Sequence, residues 1–338
     1  MPDKPDRNLA MELVRVTEAA ALSAARYMGL GDKKAGDRAA VDAMRAFLRT
    51  VEMDGVVVIG EGEKDEAPML YNGERVGTGH PPAVDVAVDP VEGTSLLANG
   101  RPNSISVIAV AERESMWWPG PSLYMNKIVV EKQARDAIDI TRSATENLHR
   151  IAEALNRRVD ELTVFVLDKP RHEALVSEIR KAGARISLQT DGDVMGALMA
   201  AIPGTGVDVL MGIGGTPEGV IAAAAVKALG GGMQAMMAPQ KDYELKAVAE
   251  HFPNYTSRVF QLHDLIRSED AFFAATGITD GPFLEGVHFD RQGGVTTHSI
   301  VIRAQSGSIR YVKGIHQLDE ELMFGDSGTH HAVELASH

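Results

Sequence analysis

Apolar residues recur at helical spacing from the start of the chain. Leu9, Leu13, Val16, Ala20 and Ala24 predict an amphipathic first helix, which the glycines at 29 and 31 stop. Asp32 offers a capping oxygen for a second helix reaching to about Thr50, with Asp37 near its first turn. Strand-like runs follow at 56–59, 84–88, 105–111 and 127–131, separated by Gly and Pro turns. Pro90 has no N–H for a ladder and is expected to end the 84–88 strand. Beyond residue 145 the texture changes. Helical patterns at 146–155, 172–182, 194–201 and 218–229 alternate with strand patterns at 163–167, 185–188 and 207–211. That alternation predicts a βα series on a mostly parallel sheet. The stretch 295–315 is again strand-rich, and the residues beyond Gln317 are poorly patterned. The expected organisation is an α/β protein with an α+β domain over 1–145 and an α/β domain over 146–338.

At 338 residues with 44% hydrophobic content, the chain is long enough for two domains with sizeable cores. Its 34 basic and 47 acidic residues leave a net charge of −13, which argues against nucleic acid or an anionic membrane as partner. An anionic small molecule can bind so acidic a protein only where metal ions or a few local cations invert the field. There is no cysteine, hence no disulfide framework and no thiolate chemistry. The first six residues are polar, and no apolar run approaches membrane-spanning length. The expectation is a soluble, cytoplasmic protein.

The most informative segment is Val88-Asp89-Pro90-Val91-Glu92-Gly93-Thr94. Asp89 and Glu92 supply hard oxygen ligands of the kind Mg²⁺ or Mn²⁺ prefers. Gly93 and Thr94 add backbone N–H groups and one alcohol, and a helix beginning there would cradle a phosphate. Ordinary turn chemistry is the rival explanation, with Thr94 as a helix cap. A second acidic strand end, Gly60-Glu61-Gly62-Glu63-Lys64-Asp65-Glu66, weakens that rival. Carboxylates crowded together repel unless cations lie between them. Further along, Asp168 to Arg171, Asp191 to Asp193 and Gly212 to Glu218 all fall at predicted strand ends, where ligands gather in such sheets. Lys169 and Arg171 flank Pro170 and suit a second phosphate, one as a point charge and the other as a bidentate fork. Surface salt-bridging is the alternative for that pair. Tyr124 offers a phenolic hydrogen bond or a core ring, and Asp191 and Asp193 suit sugar hydroxyls or Asx turns. Core packing is the expected role of Trp117 and Trp118, and helix opening explains His172.

Taken together, these residues resemble the class II fructose-1,6-bisphosphatases, within the lithium-sensitive, metal-dependent sugar-phosphatase superfamily. The resemblance runs from Asn8-Leu9-Ala10 and Arg15 to Leu22, through Gly31-Asp32-Lys33-Lys34 with Asp37, to Ile59 to Tyr71 and Asp89 to Thr94. It continues in Leu123-Tyr124-Met125-Asn126-Lys127, Lys169-Pro170-Arg171-His172, Asp191-Gly192-Asp193, Gly212 to Gly219 and Ala275 to Thr279. It covers roughly residues 7–316. One departure is the stretch from about Met236 to Asn254, shorter than the family's usual insertion.

The resemblance implies a layered α-β-α-β-α fold and hydrolysis of the 1-phosphate of fructose 1,6-bisphosphate by metal-activated water, in gluconeogenesis or the Calvin cycle. Sedoheptulose 1,7-bisphosphate is a second substrate of some relatives. It implies Mg²⁺ or Mn²⁺ held by Asp37, Glu61, Asp89, Glu92 and Glu218, with Thr94, Glu61 and Asp37 in the catalytic group. Substrate contacts would come from Glu92, Gly93, Thr94, Tyr124, Lys169, Pro170, Arg171, Asp191, Gly192, Asp193 and Gly215. A homo-oligomer, dimer or tetramer, is expected. An inositol-monophosphatase-like hydrolase is disfavoured by Lys169 and Arg171. A non-catalytic sugar-phosphate-binding regulator would not need Thr94.

Overall fold

The computed structural model describes residues 9–62, 69–291 and 293–317. Glu63, Lys64, Asp65 and Glu66 of the second acidic segment, and the tail beyond Gln317, lie outside them. Two helices come first, as the periodicity requires: α1 (Leu9–Ala25) and α2 (Lys33–Leu48). The Asp32 side chain caps α2 by accepting the Ala35 N–H at 3.0 Å. Strands β1 (Asp54–Ile59), β2 (Arg75–Val76) and β3 (Ala83–Glu92) follow, then the short helix α3 (Thr94–Ala98) and β4 (Ile105–Glu112). Contrary to expectation, Pro90 does not end its strand. Strand β3 runs through it to Glu92, and its register against β4 shifts between Asp89 and Glu92. A bulge tolerates a residue with no N–H to donate, so the proline sits where the ladder skips. Gly93 then turns the chain at φ +83°, a conformation costly for any residue with a Cβ, and caps α3.

From Ser115 the chain builds a second unit, which ends at Glu269. It holds β5 (Tyr124–Val130), α4 (Ala144–Ala154), β6 (Thr163–Leu167), α5 (Glu173–Ala182), β7 (Arg185–Gln189) and α6 (Asp193–Ala201). Strand β8 (Val209–Gly215), α7 (Thr216–Leu229), β9 (Gly232–Met237), α8 (Asp242–His251), β10 (Phe260–Gln261) and α9 (Leu262–Leu265) complete it. The sheet order is β10-β9-β5-β8-β6-β7. Only the pairings of β6 with β7 and with β8 are parallel. The expected mostly parallel sheet is therefore mixed, because β5 inserts antiparallel between β8 and β9. Residues of β6 alternate between its faces. Val164 and Val166 join Leu148 and Ile151 of α4 and Ile179 of α5 in one core, while Phe165 points the other way, against Gly196 of α6.

The chain then returns to its first sheet. Strands β11 (Ala271–Gly277), β12 (His288–Phe289), β13 (Gly294–Arg303) and β14 (Ser308–Gln317) complete an eight-stranded sheet among the described residues. Strand β11 pairs antiparallel with β4 on one side and β13 on the other. Helices α1 and α2 cover one face, with Leu13, Met44 and Leu48 packed against Val86, Ile108 and Ala274. Complete burial of side chains this size is worth about 1.5–3 kcal/mol each. The expected domain boundary at 145 does not hold: β5 is hydrogen-bonded into the second sheet, and residues from Asp270 onward belong to the first unit.

Candidate functional site

In the first unit, the acidic residues collect where parallel strands end together. Strands β1 and β3 pair in parallel, with Ile59 level with Ala87. Two residues further along each chain stand Glu61 and Asp89. The Glu61 N–H is held by the Leu70 carbonyl at 2.9 Å. Asp89 Oδ1 accepts the Val91 N–H at 3.1 Å inside the bulge. Glu92 is buried, and its carbonyl accepts from the buried Ser104 hydroxyl at 3.1 Å. The Ser104 N–H in turn donates to Thr279 Oγ1 at 2.9 Å, so the β11 end braces the β3 end. Helix α2 lies close against α3. A Cβ on Gly36 would crowd Leu97, and Lys33 Nζ donates to Ser95 Oγ at 2.7 Å. Asp37 follows Gly36, beyond the first turn of α2, and burial raises its pKa above the ordinary carboxylate value. Thr94 is the first residue of α3, not its cap; Gly93 holds the cap position.

In the second unit the expected substrate residues share one end of the sheet. Strands β6, β7 and β8 run in parallel, and their ends lead into Lys169 to Arg171, Asp191 to Asp193 and Gly215 to Glu218. Antiparallel β5 begins there, with Tyr124 level with Gly215. Pro170 opens a tight turn whose ring-fixed φ sets the direction of Arg171. Arg171 donates from Nε at 3.0 Å and Nη2 at 2.8 Å to the Ile213 carbonyl, and its guanidinium lies over the Tyr124 ring at 5.3 Å. Its remaining N–H groups and the Lys169 ammonium have no acceptor among the described residues.

Two features of this end were not foreseen. Lys127 is 3% exposed, and its ammonium pairs with Asp193 and donates to the Gly215 carbonyl at 2.8 Å. Asp193 is thus one half of a buried ion pair, with Oδ2 committed to Lys127. Gly192 caps α6 just before it. Glu218 lies in the first turn of α7, folded back so closely that a Cβ on Gly215 would overlap its carboxylate. Its Oε2 is inaccessible and meets no hydrogen-bond donor among the described residues. Burial raises the Glu218 pKa, Lys127 opposes that shift, and Asp193 adds to it. The second unforeseen feature is His172. It is buried, with Nδ1 bonded to the Leu167 carbonyl and Nε2 accepting the Ile213 N–H, each at 2.7 Å.

The expected metal ligands are therefore divided, with Asp37, Glu61, Asp89 and Glu92 in the first unit and Glu218 in the second. Among the described residues no three Asp, Glu, His or Cys side chains are placed to hold a metal ion. The donor chemistry is nonetheless uniform. Every expected ligand is a hard carboxylate, and Glu218 buries an oxygen that lacks a donor among the described residues. Of the two indoles, Trp117 packs on Phe260 with ring centroids 4.5 Å apart, whereas Trp118 is exposed. No helix among the described residues is long and apolar enough to cross a membrane.

Comparison with known proteins shows the family of this chain. The family model described as bacterial fructose-1,6-bisphosphatase, glpX-encoded, matches residues 7–316. The fructose-1,6-bisphosphatase class 2 of Haemophilus influenzae is 44% identical over 328 residues, covering 93% of this chain and 98% of that protein. The fructose-1,6-bisphosphatase 1 class 2 of Escherichia coli K12 is 43% identical over 328 residues, covering 93% and 97% respectively.

Proposed function

The chain belongs to the glpX-encoded bacterial fructose-1,6-bisphosphatase family, and on that premise we propose that it hydrolyses the 1-phosphate of fructose 1,6-bisphosphate, a step of gluconeogenesis. The observation that carries the reading is the Arg171–Tyr124 pair. A guanidinium is pinned by Ile213 and stacked on a tyrosine, with donors to spare, at the strand ends where small ligands gather. A bisphosphate has a second phosphate to place there.

The family is metal-dependent in general. We propose that Asp37, Glu61, Asp89 and Glu92 of the first unit, and Glu218 of the second, would hold Mg²⁺ or Mn²⁺, because hard carboxylate oxygens suit these ions and Glu218 Oε2 meets no donor among the described residues. When bound, a divalent cation lowers the pKa of water and neutralises phosphoryl oxygens. The chain's own groups do the rest. Thr94 Oγ1 orients the attacking water and passes its proton toward the carboxylates of Glu61 and Asp37. The amides at Gly93 and Thr94, beside Glu92, receive the phosphoryl group. As the water oxygen bonds to phosphorus, the bond to the sugar oxygen breaks, and that oxygen takes up a proton. Lys169 and Arg171, set by Pro170, hold the uncleaved phosphate with Tyr124. Asp191, Gly192 and Asp193 accept from sugar hydroxyls, Asp193 through the oxygen Lys127 leaves free. Gly215 leaves room beside Glu218.

Phosphate release from fructose 1,6-bisphosphate with and without Mn²⁺ tests this reading, and no release in either condition would overturn it. Sedoheptulose 1,7-bisphosphate belongs to the proposal as a second substrate, decided by kcat/KM values taken side by side. A cytoplasmic, homo-oligomeric enzyme completes it, to be checked by fractionation and light scattering.

A further inference from the structure

Glu244 is 1% exposed, yet its carboxylate meets no lysine or arginine at salt-bridge distance among the described residues. Its partners are backbone N–H groups. Oε1 accepts from Leu123 at 2.8 Å and from Tyr124 at 2.9 Å, and Oε2 accepts from Gln240 at 2.8 Å. Burying a charge is costly, and charge-assisted bonds to fixed N–H groups offset that cost only where the geometry is good at both oxygens. Both oxygens are engaged here, so the carboxylate cannot rotate. Strand β5 is tied at the same place on its other side. The Thr216 N–H donates to the Leu123 carbonyl at 2.9 Å, and the Ser122 and Thr216 hydroxyls lie 3.1 Å apart. The backbone of Leu123 and Tyr124 is therefore gripped between Glu244 of α8 and Thr216 of α7.

Tyr124 is the first residue of β5; its carbonyl accepts the Ala238 N–H at 2.9 Å, but its own N–H is held by Glu244 and not by a strand partner. Its ring nevertheless has to lie under Arg171 and level with Gly215. We propose that Glu244 is a positioning residue for substrate recognition. By clamping the amides of Leu123 and Tyr124, it sets the phenol of Tyr124 and, through the stacked ring, the guanidinium of Arg171. The inference rests on the assignment of Tyr124 and Arg171 to the uncleaved phosphate. Glu244 lies on α8, where the neighbouring side chains Tyr243 and Leu245 are exposed.

The test uses the full-length enzyme with its metal and compares fructose 1,6-bisphosphate with fructose 1-phosphate. Glu244→Ala should lose about tenfold in kcat/KM on the bisphosphate, chiefly through KM. On fructose 1-phosphate the loss should stay within about threefold. Glu244→Gln keeps an acceptor for Leu123 and Tyr124 and should recover most of the loss, which also guards against a variant that fails to fold. Tyr124→Phe combined with Glu244→Ala should cost little more than Glu244→Ala alone, because both remove the same placed hydroxyl. Equal losses on both substrates, or losses from Tyr124→Phe and Glu244→Ala that multiply, would overturn the positioning role. Arg171→Ala serves as the separate control. If it fell equally on both substrates, the distal-phosphate assignment would be wrong, while the Tyr124–Glu244 pairing would still decide the positioning.

Discussion

The backbone N–H of Ile213 donates to Nε2 of His172 at 2.7 Å, and this one bond settles the tautomer. Nε2 is the acceptor, so Nδ1 carries the proton and donates to the Leu167 carbonyl at 2.7 Å. The ring ties the end of β6 to the end of β8, beside the carbonyl that holds Arg171. A Cβ on Gly212 would press into the imidazole, so the strand lies hard against it.

A pH dependence follows. Burial lowers the His172 pKa below its ordinary value of 6.5, against the opposing pull of its Leu167 bond. Between the folded and unfolded values the unfolded chain binds more protons, so this group's contribution is complete above about pH 6.5 and is lost as pH falls through the folded value. Protonation would also set a donor against the Ile213 N–H, an unmade buried bond costing about 1–3 kcal/mol. Denaturant titrations of wild type between pH 7.5 and 5 should therefore show stability declining, and His172→Gln should flatten that slope. An identical slope in the variant would remove His172 from the account.

Glu218 carries the opposite sign. Its folded pKa is raised, chiefly by burial, so the folded state holds its proton more tightly than the unfolded chain does. In metal-free protein this group's contribution to stability shrinks as pH rises from the unfolded value of about 4.5 through the folded one. Glu218→Gln should accordingly raise the melting temperature of the metal-free protein at pH 7.5. The same variant should lose most of the stabilisation that Mn²⁺ gives wild type. Scanning fluorimetry with EDTA and with Mn²⁺ reads both effects. A less stable metal-free variant that still responds fully to Mn²⁺ would refute the assignment.

Thr94 heads α3 at its first position, where its hydroxyl is not occupied in capping. A water-orienting alcohol acts mainly in the transition state and should govern kcat more than ground-state binding. Thr94→Ala is expected to lose about 10²-fold or more in kcat, the lower range for proton-transfer assistance. Thr94→Ser should retain much of it. A raised KM at unchanged kcat would instead make Thr94 a phosphate ligand only.

Much of this was legible in the sequence because it is local. The α1 stripe, the Asp32 cap and the strand at 163–167 are set by residues a few positions apart, and the structure has them where spacing places them. Pro90 misled because a bulge is a property of two strands, and only the partner β4 shows that the ladder can skip there. The domain boundary failed for a related reason. Whether β5 joins one sheet or the other depends on which edge its backbone meets, and nothing in Tyr124 to Val130 encodes that. The ion pair of Lys127 with Asp193 and the clamp of Glu244 on Leu123 and Tyr124 join residues 66 and about 120 positions apart. Such pairs leave no periodicity to read, although Lys127 was a conspicuous charge inside an apolar strand.

Arg171 offers the sharpest test of bisphosphate recognition. Its guanidinium has a structural duty, two N–H groups on the Ile213 carbonyl, and a stacking contact with Tyr124. The proposed duty toward phosphate uses the N–H groups left over. A charged hydrogen bond is worth roughly 1.5–3 kcal/mol. At about 1.4 kcal/mol per factor of ten, Arg171→Ala should lose on the order of ten- to a hundredfold in kcat/KM on fructose 1,6-bisphosphate. The loss on fructose 1-phosphate should be small. Arg171→Lys separates the two duties. An ammonium keeps a charge for phosphate but cannot reproduce the fork, so it should recover part of the bisphosphate activity while Ile213 loses one of its donors. A general electrostatic effect in a protein of net charge −13 would instead penalise both substrates alike. Equal losses on the two substrates would mean that Arg171 serves the reacting phosphate or the fold, and the specificity for a second phosphate would have to lie elsewhere.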